Sequence, residues 1–180
     1  MFELNVPATE FFDESKNEFV TVKGTVLRLE HSLVSISKWE SFWKIPFLSN
    51  TPKTVEQSVD YIRCMTINQN VDPRVYKMLK NEHITAINEY IGDNKTATTF
   101  NDAHSPNRSN EVVTSELIYF WMSQFNIPME CQKWHLSRLL TLIRIASIKN
   151  SPPKKMSKRA IMSQNKSLNA ARRKKYNTRG

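Results

Sequence analysis

Glycine is scarce in this chain: Gly24, Gly92 and Gly180 are the only three among 180 residues. Neither a GxGxxG nor a GxxxxGK[ST] phosphate-cradling loop occurs, so the nucleotide-binding classes that rest on those loops have no support. Cysteine is scarcer still. Cys64 and Cys131 stand far apart among apolar neighbours and read as reduced core thiols of a cytosolic protein. No apolar run reaches the roughly 18 residues that span a bilayer. The opening MFELNVPATEFFDE is acidic and has no basic n-region, so it does not read as a secretory leader. The most telling absence lies at the far end: residues 151–180 contain no Asp or Glu.

What fills that segment is positive charge. It holds ten Lys or Arg, which leaves 16 basic against 17 acidic residues in positions 1–150. The net charge of +9 therefore belongs to one segment and not to the body. Ser151-Pro152-Pro153 separates the two, because paired prolines end a helix and impose an extended step. The sequence thus predicts a mainly α protein with a small N-terminal β-hairpin (α+β): a strand region at 1–30, a helical body at 31–150 in the same domain, and a basic arm at 151–180. The arm has too few apolar residues to offset ordering entropy and is expected to be disordered in isolation.

Period and punctuation place the elements. Residues 1–6 and 18–30 alternate apolar and polar side chains, with residues 11–17 as the turn between them. From His31 the period becomes helical, with Ile36, Trp39 and Trp43 on one stripe and a stop near Ile45 before Pro46. Thr54 with Gln57 three residues on is a capping box opening the next helix. Asp72-Pro73 is an N-cap and first-turn pair. Ile84, Ile87 and Ile91 repeat at helical spacing up to Gly92. A long polar connection, 93–110, follows, with a candidate extended piece at 96–100. Thr114 caps a helix carrying Leu117, Ile118, Trp121 and Met122. After Asn126-Ile127-Pro128 a helix over 129–149 is predicted, apolar round most of its circumference and so central.

Few residues in the body invite chemistry. His31, His83, His104 and His135 are the histidines, and no nucleophile motif surrounds them. His31 stands at a strand-to-helix junction and reads as a capping or core-edge residue. Cys131 and His135, four apart on the predicted helix, could face one metal, but two ligands do not make a site. The carboxylates form no paired motif. These residues give no catalytic, cofactor or metal site. Trp39, Trp43, Trp121 and Trp134 fall on apolar stripes and read as core, with Trp39 and Trp43 the pair that would form a protein contact patch. A helix-turn-helix outline at 115–149 is discounted, since its second helix is too apolar to read bases.

The arm carries the electrostatic candidates: Lys154, Lys155, Lys158, Arg159, Lys166, Arg172, Arg173, Lys174, Lys175 and Arg179. With only Tyr176 able to stack on a base, they fit sequence-blind contact with a phosphate backbone or an acidic protein surface. No apolar face accompanies them, which disfavours a lipid surface.

The wording of several stretches is informative as well. LEHSLVSISKWESFWKIPFL (29–48), YIRCMTINQNVDP (61–73), TATTF (96–100), SELIYFWM (115–122), MECQKWHLSRLLTLIRIASIKNSPPKKMSK (129–158) and the closing SLNAARRKKYNTRG resemble a family encoded in the structural-gene modules of tailed bacteriophages. Members of that family are often labelled tail assembly chaperones. The resemblance implies a non-enzymatic morphogenesis protein in the host cytoplasm, without cofactors, whose partners are the tape measure and tail tube subunits. The alternative it leaves open is a structural virion protein, a head–tail connector or minor tail component, whose arm contacts DNA or a neighbouring subunit. Either role admits an oligomer.

Overall fold

A computed structural model describes residues 1–13, 17–100, 111–151 and 158–177. The chain divides into two units, Met1–Ser147 and Ile148–Gly180. The first is α+β and mainly helical, with its strands among the described residues all in the N-terminal 30, as the sequence predicts.

Those strands are β1 (Phe2–Val6), β2 (Thr9–Asp13), β3 (Glu18–Val22) and β4 (Thr25–Leu29). β1 pairs with β4 and β2 with β3, both antiparallel. The two pairings share one register: Phe2↔Leu29, Val6↔Thr25, Thr9↔Val22 and Asp13↔Glu18 each add to 31. The four strands are therefore one long hairpin, interrupted where Pro7 and Ala8 face Lys23 and Gly24. Pro7 offers no N–H to the ladder there. The expected turn over 11–17 is shorter than the sequence suggested, because Phe11–Asp13 are still strand. Cross-strand pairing, which depends on residues 18–20, extends the ladder past the local turn signal.

The base of the ribbon belongs to the core together with Val22 at the start of the distal half, and the outer part of the ribbon is exposed. Leu4, Val6, Leu27 and Leu29 are buried, while Phe12 and Phe19 are 46% and 75% exposed. The free edge of β4 is closed by the chain beyond the second helix. Glu30 N–H donates to Met65 O (3.0 Å), Ile67 N–H donates to Arg28 O (2.8 Å), and Asn68 bonds the backbone of Arg28 and Val26. Covering the edge in this way removes a template for strand addition. At the interruption, a β-carbon on Gly24 would meet Ala8 N at 3.0 Å. Gly24→Ala is expected to cost about 1–2 kcal/mol through backbone overpacking, read as a lower urea midpoint at unchanged slope.

Helices complete the body: α1 (Leu33–Trp43), α2 (Val55–Met65), α3 (Asn81–Gly92), α4 (Ser115–Gln124) and α5 (Leu136–Asn150), with 3₁₀ turns at Pro73–Met78 and Met129–Lys133. The local start signals act as expected. Ser32 and Ser35 cap α1 reciprocally, Thr54 and Gln57 form the capping box of α2, and Thr114 caps α4. Asp72 caps a 3₁₀ turn and not an α-helix. α1 ends at Trp43, with its C-cap Lys44 in the left-handed region (φ 56°) ahead of Pro46.

Residues 96–100, the candidate extended piece, belong to no strand or helix, and Phe100 lies beneath the Arg144 guanidinium, 4.0 Å from ring centroid to Cζ. The single helix expected over 129–149 is a 3₁₀ turn and a separate α5. Trp134 is extended, and His135 makes an isolated bridge to Ser32 while Leu136 N–H donates to His31 O at 2.8 Å. α5 is also not apolar all round: Leu136, Leu139 and Ile143 form its buried stripe, and Ile148 is exposed.

The second unit contains α6 (Lys158–Tyr176). No residue between Lys158 and Tyr176 is Gly or Pro, and Ala, Arg, Lys, Met, Leu and Gln are good helix formers. Every side chain described in it is exposed. The expectation of disorder rested on the missing apolar face, and α6 indeed buries none; its helix is written by local propensity alone.

Candidate functional site

Three constellations can be weighed: a cleft, a buried polar network and the charged helix.

The cleft, about 460 Å³, lies between α1, α2 and the 73–78 turn. Its apolar lining is Phe42, Trp43, Val59, Pro73 and Tyr76. Glu56, Asp60, Arg63 and Lys77 add two charges of each sign. Asp60 organises the wall: its carboxylate accepts the Trp43 indole N–H (3.0 Å) and pairs with Arg63 (2.9 Å). Phe42 stands edge-on to Trp43, centroids 5.3 Å apart, and is 66% exposed. An exposed aromatic held beside a fixed one is the kind of anchor that dominates protein interfaces. Cys64, half-buried, lines a neighbouring hollow with Lys38, Ser41 and Phe42; burial pushes its thiol up, with Asp60 adding to the effect, so it is not an activated nucleophile.

The expected Trp39–Trp43 contact pair is therefore corrected. The rings do lie near each other, 6.3 Å apart. Trp39, however, is 1% exposed and donates its indole N–H to Gln57 O (2.9 Å), so it is core. Phe42, which sequence reasoning missed, takes its place at the surface. It lies off the apolar stripe, and an off-stripe Phe is the signal that could have found it.

The polar network joins the strand-to-helix junction to α2, α3 and α5. His31 and Tyr61 share a hydrogen bond from Nδ1 to the hydroxyl (2.5 Å), and Ser35 Oγ lies 3.5 Å from the same hydroxyl. His135, its ring centroid 5.1 Å from that of His31, reaches Tyr90 O through Nε2 (3.1 Å) and Ser137 Oγ through Nδ1 (2.8 Å). Tyr90 donates its hydroxyl to Glu30 (2.6 Å), whose other oxygen meets the Met1 amino group (2.6 Å). Burial pushes the His31 imidazole down to about 4, with His135 adding to the effect and Glu30 opposing it. Burial also lowers His135. Burial raises the hydroxyls of Tyr61 and Tyr90 well above the ordinary tyrosine range. Both imidazoles are held neutral and hydrogen-bonded, and no buried side-chain N or O among the described residues lacks a partner. The network is arranged to hold elements together. His83 is elsewhere, accepting the Lys80 N–H at the start of α3. His104 lies outside the described residues. Cys131 is buried in its 3₁₀ turn, and among the described residues no group of metal-ligating side chains assembles.

No family model, curated protein or solved structure matches this chain. The reading therefore rests on surfaces. Of the basic residues expected to meet a partner, Lys158, Arg159, Lys166, Arg172, Arg173, Lys174 and Lys175 lie on α6 and are exposed. Arg159, Lys166 and Arg173 recur every seven residues and so share a face. Arg173, Lys174 and Lys175 in the last turn complement the helix dipole. Lys154, Lys155 and Arg179 lie outside the described residues. Among the described residues no helix is long and apolar enough to cross a membrane.

Proposed function

We propose that this chain is a non-enzymatic binding protein of tailed-phage morphogenesis, of the tail-assembly-chaperone kind, acting in the host cytoplasm. The cleft beside Phe42 takes an apolar segment of the tape measure or tail tube subunits, and the basic arm takes an acidic partner. The observation that carries this reading is the division of labour. His31, Tyr61, Tyr90 and His135 are buried and hydrogen-bonded, while the open features are an aromatic cleft and a charged helix. The family wording supplies the setting.

Purified particles and assembly lysates, compared by quantitative mass spectrometry, test the role. The chain is expected in lysates and absent from finished virions. Stoichiometric presence in the virion overturns the chaperone reading. It favours a head–tail connector or minor tail component whose arm lies on DNA, a reading supported by the regular basic face of α6. The cleft itself is tested by Phe42→Ala. Its ring is mostly exposed, so unfolding should change by less than about 0.5 kcal/mol. Affinity for the tape measure protein, read by calorimetry, should fall about tenfold or more. Unchanged affinity removes the cleft from the interface.

A further inference from the structure

Among the described residues, the distal ribbon and α6 expose most of their side chains, and they are opposite in charge. Residues 9–22 contain Glu10, Asp13, Glu14 and Glu18 against Lys16 alone, a net of −3. Lys158–Tyr176 carries seven Lys or Arg and no acid, a net of +7. Each element also carries exposed apolar groups. Phe12 and Phe19 stack edge-to-face at 5.2 Å on the ribbon. Ile161 and Leu168, seven residues apart, share a face of α6 and are 43% and 47% exposed. Four acids elsewhere in the first unit are paired within it, Glu3 with Arg28, Asp60 with Arg63, Asp72 with Arg74 and Asp93 with Lys95, while Glu56, Glu82, Glu89 and Glu130 are exposed on α2, α3 and the Met129–Lys133 turn. Glu10 and Glu18 are exposed and form no ion pair among the described residues.

We propose that α6 of one copy docks along the β2–β3 ribbon of a second copy, and reciprocally, so that two copies exchange basic helices for acidic ribbons. Lengths allow it. A strand of five residues runs about 17 Å and α6, with 19 residues, about 28 Å, so one helix covers the whole distal ribbon. Reciprocity favours a second copy over any other occupant. A two-fold exchange closes both ribbons and both helices at once and makes each contact twice. The apolar groups supply contact area, with Phe12 and Phe19 against the Ile161–Leu168 face. The charges supply register and steering. This inference does not depend on the proposed role in tail assembly.

The test is sedimentation velocity of the nuclease-treated full-length protein with paired charge reversals. Wild type is expected to dimerise at about 0.1 M salt, with the dissociation constant rising about tenfold or more at about 0.5 M as the charges are screened. Glu10→Lys with Glu18→Lys, both at exposed positions, should leave the far-UV circular dichroism unchanged and yield monomers. Lys158→Glu with Arg172→Glu and Lys175→Glu, basic residues that flank Ile161 and Leu168 at helical spacings of three, four and seven, should do the same. Mixing the two variants should restore a heterodimer through the single ribbon–helix pairing in which both sides are reversed. A wild type that stays monomeric at all salt concentrations overturns the proposal, as does a dimer that the ribbon reversals leave intact. Crosslinks between ribbon and α6 confined to single chains in a monomeric sample assign the contact to one copy and overturn it equally. Salt-sensitive DNA binding by a monomer, with no self-association, gives α6 to a nucleic acid instead.

Discussion

Replacing Glu40 with leucine is expected to destabilise the body by about 3–5 kcal/mol, the largest effect of any single substitution considered. Glu40 lies on the buried side of α1 and is 7% exposed. One carboxylate oxygen accepts the Phe47 N–H (2.7 Å) and the other accepts the Ser115 N–H (2.7 Å). Ser115 opens α4, so its N–H is one of the orphan donors of a helix N-terminus, where a negative charge is also favoured by the dipole. Phe47 is the turn residue whose ring packs on Tyr61 at 4.0 Å and on Trp39 at 5.2 Å. One side chain thus ties α1 to the following turn and to a helix far along the chain. Leucine fills the space but strands two N–H groups, one of them buried. Glu40→Gln keeps one acceptor oxygen and should cost about half as much. Urea unfolding of the three proteins at neutral pH gives the comparison. A leucine variant within about 1 kcal/mol of wild type removes the carboxylate from this role.

Acid is expected to weaken the fold well before the carboxylates are fully protonated. His31 and His135 are both lowered by burial, His31 from an ordinary 6.5 to about 4. In the unfolded chain both take up a proton as the pH drops through about 6.5; in the fold they resist it. The unfolded state therefore binds more protons in the window between about 4 and 6.5, and stability falls as pH falls through it. The contribution of His31 is on the order of 2–3 kcal/mol between its two values, and His135 adds in the same direction. Asp72 and Asp93, held low by Arg74 and Lys95, lose their partners' benefit only at more acid pH, so the upper part of the window reports the histidines. Denaturant midpoints measured at steps between about pH 7.5 and 5 should decline. In His31→Asn the slope should be shallower, although the variant starts less stable for lack of the Tyr61 bond. A flat profile in wild type means that the imidazoles are protonated inside the fold.

How much of this was legible depended on range. The caps of α2 and α4 and the Asp72-Pro73 start are contacts between residues two or three apart, and reading them needs no knowledge of the rest of the chain. The split of the predicted 129–149 helix was not legible, because its cause is the pairing of His135 and Leu136 with His31 and Ser32. The same contact brings the two histidines together, and nothing local to either announces the other. Trp39 and Phe42 show the limit for surfaces. Both are aromatic, both lie on α1, and only the packing of α2 and the 46–47 turn decides that one is core and the other the exposed edge of the cleft. Glu40 was the missed clue in plain view, a carboxylate four residues from Ile36 on the stripe that faces inward. The basic segment was the most legible feature, since its charge needs no partner to be counted.

The shared register of the ribbon bears on how such a protein can vary. A single residue inserted into one strand would shift the pairing and turn Leu4 and Val6, or Leu27 and Leu29, away from the interior. Two residues added to both β2 and β3 would change nothing below Pro7 and Gly24, and would push the tip outward by about 7 Å. Reach is thus the dimension of this molecule that evolution can lengthen or shorten in paired steps without retuning the interior.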